Sequence, residues 1–238
     1  MRAAFGDDAV LHSFDECTEG WFNAVHRLGL ADGRAVILKV APPADVPVLR
    51  YEHDLITTEV DALRLVGERT DVPVPAVLAW HPEGGVLPSP WFVMEVCPGV
   101  LLSTLRDGLD PAQQLTVDTQ TVRHLASMHA IGGPGFGRPA AGGSHPTWSG
   151  AFAELIDDLL ADGTDAGVDL PVPVTSIRDL VARSTDALDE VRSPRLVHWD
   201  VWDPNVFVDP ASLRVVGIID FERVLWADPL MEAQFVAK

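Results

Sequence analysis

Short apolar segments separated by polar turns fill the first 96 residues of the chain. Longer segments with apolar residues at helical spacing follow. Residues 35–40 are almost continuously apolar and β-branched, which predicts a strand, and the preceding Asp32-Gly33 pair predicts a hairpin turn. Apolar residues at helical spacing predict a helix over residues 51–66. This part of the chain is therefore expected to form a small lobe of strands with one helix.

The remainder of the chain is expected to be mainly helical. Residues rich in Gly and Pro predict loops between three helices, at 113–131, 148–160 and 176–191. The first helix is expected to bury Leu115, Val122, Leu125 and Met128, and Ser176 is the expected N-cap of the third. With residues 97–110 as a hinge and connection, we expect an α+β fold with two lobes, residues 1–96 and 97–238.

Polar residues between positions 196 and 222 follow a pattern typical of phosphoryl transfer. His198, Asp200 and Asn205 have the spacing His-x-Asp-x-x-x-x-Asn, and Asp220 ends an apolar strand after a hairpin. Mg²⁺ prefers oxygen ligands, so Asn205 and Asp220 are its candidate ligands. Asp200 is the candidate base for an acceptor hydroxyl. Alternatively, these are turn or cap residues; His198 is expected to hold the loop through a backbone hydrogen bond.

Lysine is rare in this chain, which has 17 basic residues but only Lys39 and the final Lys238 as lysines. An ammonium within a strand is suited to nucleotide phosphates, although Lys39 is alternatively an edge-strand charge that prevents aggregation. Glu59 on the predicted helix is its candidate partner, because a strand Lys and a helix Glu pair in kinase active sites. Glu52 is a rival partner for Lys39, and Glu59 is alternatively solvated or paired with Arg64.

Taken in order, these motifs resemble the aminoglycoside phosphotransferase family, small-molecule kinases that include antibiotic, choline, homoserine and fructosamine kinases. The resemblance covers about residues 15 to 230. It implies a two-lobed protein-kinase-like fold, ATP and Mg²⁺ as cofactors, and transfer of the γ-phosphate to a hydroxyl of a small molecule. It also implies that Asp200 is catalytic and that Asn205 and Asp220 bind the metal. The implied nucleotide-binding residues are Gly20, Asn23, Lys39, Glu59, Glu95 and Cys97.

Within that set, the resemblance gives Glu95 and Cys97 the hinge carbonyl and amide that pair with adenine. Asp228-Pro229 also matches a family element. Three features depart from the family pattern. Trp199 stands where a small residue is usual, Gly20 is the single glycine of the phosphate loop, and only 18 residues follow Asp220. We therefore expect C-terminal helices to be missing and the second lobe to be incomplete, or the acceptor site to be reduced.

Composition adds limits on partners and location. The chain has 238 residues, enough for a sizeable core, and a net charge of −18. This charge disfavours nucleic acid and anionic membranes and favours a cationic acceptor such as an aminoglycoside. With no apolar run of about 18 residues and no apolar signal core, we expect a cytoplasmic protein with no membrane span and with Cys17 and Cys97 reduced.

Acidic residues of the second predicted C-terminal helix and the following loop are a further candidate for binding a cationic acceptor. The alternative is a solvated helix end. The residues concerned are Asp157, Asp158, Asp162 and Asp165.

Two other functions remain open from the sequence. A protein kinase needs an activation segment after Asp220, and few residues remain for one. A nucleotide-binding module without catalysis would result from truncation after Asp220 or from crowding of the loop by Trp199. The oligomeric state is not predicted.

Overall fold

An antiparallel five-stranded sheet forms the first part of the chain. In the computed structural model, residues 2–6, 9–17, 22–139 and 142–233 are described. The strands follow one another in space as β1-β2-β3-β5-β4. Helix α1 spans Arg2–Phe5 and helix α2 spans Leu55–Arg69. The strands are β1 (Leu11–Cys17), β2 (Ala24–Leu30), β3 (Ala35–Val40), β4 (Val77–His81) and β5 (Trp91–Glu95).

The predicted strand at residues 35–40 and its hairpin are confirmed. Gly33 has φ +89°, a conformation that glycine adopts without steric cost, and Leu30 N donates to Arg34 O across the turn. The helix predicted from residue 51 begins later, at Leu55. Residues Arg50–Glu52 form a 3₁₀ turn instead, and Asp54 has φ 60°, which interrupts a helix at this position.

Helices and two small sheets form the rest of the structure. Strand β8 lies between β6 and β9 in one sheet, and β7 pairs with β10 in the other. The helices are α3 (Leu102–Leu105), α4 (Pro111–His129), α5 (Trp148–Asp165), α6 (Val174–Arg183) and α7 (Thr185–Leu188). The strands are β6 (Val100–Leu101), β7 (Arg195–Val197), β8 (Val206–Val208), β9 (Val215–Ile218) and β10 (Leu225–Ala227).

Residues 97–110, the expected hinge and connection, contain β6, α3 and a 3₁₀ turn. Two helix predictions are wrong in detail. The helix predicted at 176–191 is interrupted at Ser184, and α6 begins at Val174 after Pro173, so Ser176 is not its N-cap. On α4, Leu115 and Val122 are exposed, and the buried face uses Val117 and Thr121 together with Leu125 and Met128.

A continuous apolar core joins the two parts of the molecule. It includes Val60 of α2, Phe92 of β5, Val206 of β8 and Phe221, all at most 1% exposed. Phe221 directly follows Asp220, so burial of its ring fixes the backbone at the end of the β8–β9 hairpin. None of the helices in the described part of the chain is long and apolar enough to cross a bilayer.

Candidate active site

The open end of the β8–β9 hairpin carries both predicted metal ligands. Val206 pairs with Ile218, and Ile219 N donates to Asn205 O at 3.0 Å, so Asn205 and Asp220 leave the hairpin at the same end. Asp220 has φ 68°, in the left-handed region that few non-glycine residues occupy. Such strain is typical of functional positions that the surrounding structure holds firmly.

Asp200 and Asn205 form the predicted loop pair. Asn205 Nδ2 donates to the backbone oxygen of Asp200 at 2.9 Å and lies 3.4 Å from Asp200 Oδ2. This arrangement leaves the amide oxygen of Asn205 as the atom that could bind a cation. Burial raises the pKa of Asp200 to about 6; the charge of Arg223 opposes this rise, and Asp220 and Glu222 add to it. A carboxylate with a pKa near 6 suits a general base.

Lys39 is buried and lies among three carboxylates, of which those of Glu59 and Glu222 are buried and that of Asp220 is partly exposed. Its Nζ is 2.6 Å from Glu59 Oε2, 2.7 Å from Asp220 Oδ1 and 3.1 Å from Glu222 Oε2. Burial lowers the pKa of Lys39, but the three carboxylates outweigh this effect and raise it, so the amine stays charged. The predicted contact with Glu59 is confirmed, whereas the rival Glu52 instead accepts a hydrogen bond from Leu49 N at 2.8 Å.

The cluster has more negative than positive charge. Oxygen atoms of Glu59, Asp220 and Glu222 lie within 4.8 Å of one another, with one ammonium between them. Burial raises the pKa of Glu59 to about 8 against the opposing charge of Lys39, and it raises that of Glu222 too. The pKa of Asp220 is lowered, because Lys39 outweighs its burial. These carboxylates and the amide of Asn205 are hard oxygen donors, so the residues present fit Mg²⁺.

Glu222 is a site residue to which the sequence pattern assigned no role. Its Oε2 accepts hydrogen bonds from Lys39 Nζ and, at 2.7 Å, from Asn23 Nδ2. Among the described residues, Asn23 Oδ1 is buried without a hydrogen-bond partner. Asn23 thus contacts a carboxylate that also contacts Lys39, whereas Gly20 lies outside the described residues. The spacing of Glu222, two residues after Asp220, is the signal that could have identified it.

At the predicted hinge, the side chains of Glu95 and Cys97 make contacts within the protein. The carboxylate of Glu95 accepts from Ala76 N at 3.3 Å, and its own N–H donates to Ala76 O. The Sγ of Cys97 packs closely on Gly217, and burial raises the pKa of this thiol to about 12. Within the described residues, Cys97 N has no backbone acceptor, which leaves this main-chain N–H available to a ligand.

Buried contacts hold the loop that carries Asp200. His198 is fully buried, its Nε2–H donates to Ile219 O at 3.1 Å, and its ring packs on Phe221. The predicted backbone role of His198 is thereby confirmed. Sequence reasoning missed Glu232, whose buried carboxylate accepts from His198 N at 2.6 Å and from Trp199 N at 3.2 Å. The ring of Trp199 packs against a second apolar cluster that includes Val197.

Arginines pair with the acidic residues that had been candidates for a cationic acceptor. Arg50 contacts Asp162 and Asp165, Arg138 contacts Asp158 at 3.0 Å, and Arg178 contacts Asp157 at 2.6 Å. Asp162 is only 9% exposed, so the alternative of a wholly solvated helix end is wrong for this residue. Internal pairing leaves these carboxylates less free to bind an external cation.

Comparison with known proteins gives a family match over residues 14–237, to the model described as "Phosphotransferase enzyme family". The chain is 24% identical over 188 residues to "Probable acyl-CoA dehydrogenase IBR3" of Arabidopsis thaliana, covering 78% of this chain and 22% of that protein. It is 23% identical over 204 residues to "Acyl-CoA dehydrogenase family member 11" of Homo sapiens, covering 82% and 24%. The chain thus spans about a quarter of the length of these proteins.

Solved structures with a similar fold include aminoglycoside phosphotransferases. A thermostable mutant of APH(4)-Ia superposes with a TM-score of 0.64 at 19% identity, covering 92% of this chain and 70% of that chain. A further mutant of APH(4)-Ia, in ternary complex with ADP and hygromycin B, gives 0.62 at 19% identity, with the same coverage. Aminoglycoside-3'-phosphotransferase of type VIII gives 0.57 at 22% identity, covering 92% and 73%. These structures confirm the predicted two-lobed, kinase-like α+β fold.

The family match confirms the predicted family and the predicted class of enzyme, a phosphotransferase of the kinase type. The family match and the fold together show that the chain belongs to the phosphotransferase enzyme family.

Proposed function

We propose that this chain transfers the γ-phosphate of ATP, with Mg²⁺, to a hydroxyl group of a small molecule. The observation that carries the proposal is the position of Lys39, which meets Glu59 and Asp220 within 2.7 Å at the end of the hairpin that also carries Asn205. A kinase needs an ammonium for the phosphates and oxygen ligands for the metal in the same cleft.

Each residue has a defined task in this proposal. Asp200 orients the acceptor hydroxyl and takes its proton, for which its raised pKa is suitable. Asn205 and Asp220 hold the metal, which when bound would neutralise charge on the phosphate oxygens. Lys39, kept in place by Glu59, contacts the phosphates, and Asn23 lies at the same end of the sheet.

Nucleotide binding on the other side of the cleft would use main-chain groups. We assign adenine recognition to the backbone of Glu95 and Cys97, whose side chains are engaged elsewhere. Gly20 would add a backbone contact to the phosphates. We also propose that the two lobes divide after residue 96, beyond the end of β5 at Glu95.

The acceptor is a small molecule with a free hydroxyl, and a cationic antibiotic such as an aminoglycoside is one candidate. A net charge of −18 supports a cationic acceptor, and a solved relative binds hygromycin B. The arginine pairing on α5 weighs against an acceptor site at that helix. We expect no nucleic acid or membrane partner, and a cytoplasmic location, where ATP is available and cysteines stay reduced.

A transfer assay tests the proposal. The chain is incubated with Mg²⁺ and γ-labelled ATP and with aminoglycosides, macrolides, sugars and amino alcohols, and label transferred to each acceptor is counted. Calorimetry measures ATP binding in parallel. Transfer of label to one of the acceptors, and its loss in the Asp200→Asn variant, would support the kinase function. Binding of ATP without transfer to any acceptor supports the alternative, a nucleotide-binding module without catalysis.

A further inference from the structure

A small cavity that opens to solvent adjoins the carboxylates around Lys39. It lies between the turn before α2, helix α2 itself and the chain that leads into β10. Groups on its wall include Tyr51, Thr58, Arg138, Glu222 and Arg223. Glu222 also contacts Lys39 Nζ, at 3.1 Å. The cavity therefore lies at the edge of the proposed active site and adds groups that have no task in metal or nucleotide binding.

The strand pairing of β10 brings this cavity close to Asp200. Leu225, another residue of the cavity wall, pairs with Val197 of β7 in an antiparallel register. The chain therefore enters β10 from Arg223 at the end of this ribbon where it leaves β7 toward Asp200. Burial raises the pKa of Asp200, and the charge of Arg223 is the main effect that opposes this rise. A ligand in the cavity would thus lie near the proposed base.

Arg223 has N–H groups that the described part of the chain leaves without acceptors. The residue is partly buried, and its guanidinium forms no ion pair and donates no hydrogen bond to any described residue. It lies over the ring of Tyr51, with Cζ 5.8 Å from the ring centre, and the Tyr51 hydroxyl donates to Glu52 at 3.2 Å. Stacking orients a guanidinium and leaves the N–H groups at its edge free. Such a fork matches two oxygens of a carboxylate or a phosphate.

Thr58 supplies a second donor on the same wall. It is 5% exposed, and its hydroxyl has no hydrogen-bond partner among the described residues. Because the side chain is buried, the hydroxyl can reach an acceptor only through the cavity. Thr58 belongs to α2 and Arg223 to the turn that packs against α2, so the two donors come from the two elements that form the wall.

Other charged groups on the wall are already paired. Glu222 Oε2 accepts from Lys39, and Arg138 contacts Asp158 at 3.0 Å. Among the described residues that line the cavity, Arg223 is therefore the charged group left for a ligand. The net charge of −18 is spread over the whole chain, and salt screens charges beyond about 8 Å. The nearest charge consequently decides which chemical group binds here.

We propose that this cavity binds a carboxylate or phosphate group of the acceptor, recognised by the guanidinium of Arg223 and the hydroxyl of Thr58. The acceptor is then a small alcohol that carries a negative charge, such as a hydroxy acid or a phosphorylated polyol, and a cationic acceptor is disfavoured. The assignment of the anion to the acceptor rests on the proposed function, whereas anion binding in the cavity does not.

The first test measures binding without turnover. Glycerate, glycerol phosphate, glycerol and serinol share a three-carbon backbone with hydroxyl groups, but they carry a carboxylate, a phosphate, no charge and an ammonium. Titrations of the whole chain followed by ¹⁵N NMR at constant ionic strength give the Kd of each compound. At least one of the two anions should bind about tenfold more tightly than glycerol and serinol, as expected for charge-assisted hydrogen bonds. Absence of saturable binding by both anions would overturn the proposal.

Variants locate the anion in the cavity. Arg223→Gln should weaken binding of the anion about tenfold or more, because the amide lacks the charge and the fork. Its matched control is Arg64→Gln, at an exposed position of α2, which should leave the Kd unchanged. Thr58→Val removes only the hydroxyl and should weaken binding about threefold or more. Thr57→Val, on the same helix but outside the cavity wall, is its control.

An unchanged Kd in Arg223→Gln would refute the site. Should that variant fail to fold, the threonine pair decides, and equal affinities of Thr58→Val and Thr57→Val would refute it instead.

The second test asks whether the anion belongs to the acceptor. Initial rates of phosphate transfer from ATP are measured with the same four compounds. We expect the highest kcat/KM for the anion that binds, and a loss of about tenfold or more in Arg223→Gln with the KM for ATP unchanged. A preference for serinol would overturn the proposal. So would a raised KM for ATP with the acceptor preference unchanged, because Arg223 would then bind a phosphate of the nucleotide.

The two proposals can fail separately. Binding of an anion that depends on Arg223, without transfer to any of the four compounds, would support the site and count against the proposed transfer. Transfer to glycerol or serinol that is indifferent to Arg223→Gln would support the kinase function and contradict the site.

Discussion

Lys39 Nζ lies 2.7 Å from Asp220 Oδ1, although 181 residues separate the two in the chain. Lys39 belongs to β3 of the large sheet, and Asp220 follows β9, so this ion pair joins the two lobes. In the proposed function, the same carboxylate binds Mg²⁺ and the same ammonium binds phosphate. The pair therefore keeps both groups oriented and charged in the absence of nucleotide.

Lys39 should be the target of an ATP-derived acyl phosphate, a reagent that transfers its acyl group to an amine beside the phosphates. Excess ATP should protect Lys39, whereas any labelling of Lys238, the other lysine, should be indifferent to ATP. Peptide mass spectrometry distinguishes the two sites. Labelling of Lys39 that ATP does not reduce would place the nucleotide elsewhere.

Substitution of Lys39 by arginine should not preserve activity. The planar guanidinium is larger than an ammonium, and it cannot replace a point charge that contacts three carboxylates. We expect kcat/KM to fall at least 100-fold, as measured by initial rates of transfer. An active Lys39→Arg enzyme would show that Lys39 has no specific contact with the phosphates.

Asp220→Ala should abolish Mg²⁺-dependent activity, because Asn205 is neutral and cannot replace the lost charge. Loss of this carboxylate should also weaken ATP binding in Mg²⁺ titrations followed by calorimetry. The matched control is Asp71→Ala, which removes an exposed carboxylate. If activity and the Mg²⁺ dependence of ATP binding survived in Asp220→Ala, the metal would have other ligands.

Asp200→Asn should lower kcat by roughly 10²–10⁴-fold, the usual contribution of a positioned general base, with ATP affinity unchanged. Asp61→Asn, at an exposed position of α2, is the control and should retain full turnover. Turnover within about threefold of wild type would remove Asp200 from the mechanism.

The same substitution should stabilise the protein in the absence of metal at pH 7. The pKa of Asp200 is raised from 3.8 to about 6, so the folded state holds this proton more tightly than the unfolded state. Its stabilising effect is complete below pH 4 and is lost as the pH rises through 6. Asp200→Asn should therefore raise the free energy of unfolding at pH 7 by about 1–3 kcal/mol. Calorimetric Tm values should rise by a few degrees at pH 7 and converge with wild type near pH 4.

Arg106 should be needed to hold the catalytic loop. Its guanidinium donates twice to Asp203, at 2.8 and 2.6 Å, and once to Asp118, at 2.8 Å. Asp203 begins the 3₁₀ turn that contains Asn205. Arg106→Lys keeps the charge but loses the forked geometry, so unfolding in urea should show a loss of about 1–2 kcal/mol. The Asp118→Asn variant, which leaves the Asp203 contacts, should lose less than half as much.

The sequence alone determined the family and the two-lobed α+β fold, and it named the candidate site residues. It could do so because the motif residues are close together in the chain: Asp200 and Asn205 lie within one loop, and Asp220 follows the next hairpin. Local patterns also placed Lys39 in a strand and Glu59 on a helix, since strand and helix periodicity depend on near neighbours in the chain.

Only the tertiary structure decided which distant groups meet. The roles of Glu222 and Glu232 depend on contacts with Asn23, Lys39 and the backbone of the catalytic loop, which no local periodicity encodes. Pairing of the α5 carboxylates with arginines has the same origin. On α4, Thr121 is buried and Leu115 is exposed, which likewise depends on the helix face that meets the core. Helical spacing identifies candidate faces, but packing against the rest of the chain selects one, because apolar burial depends on the neighbours available.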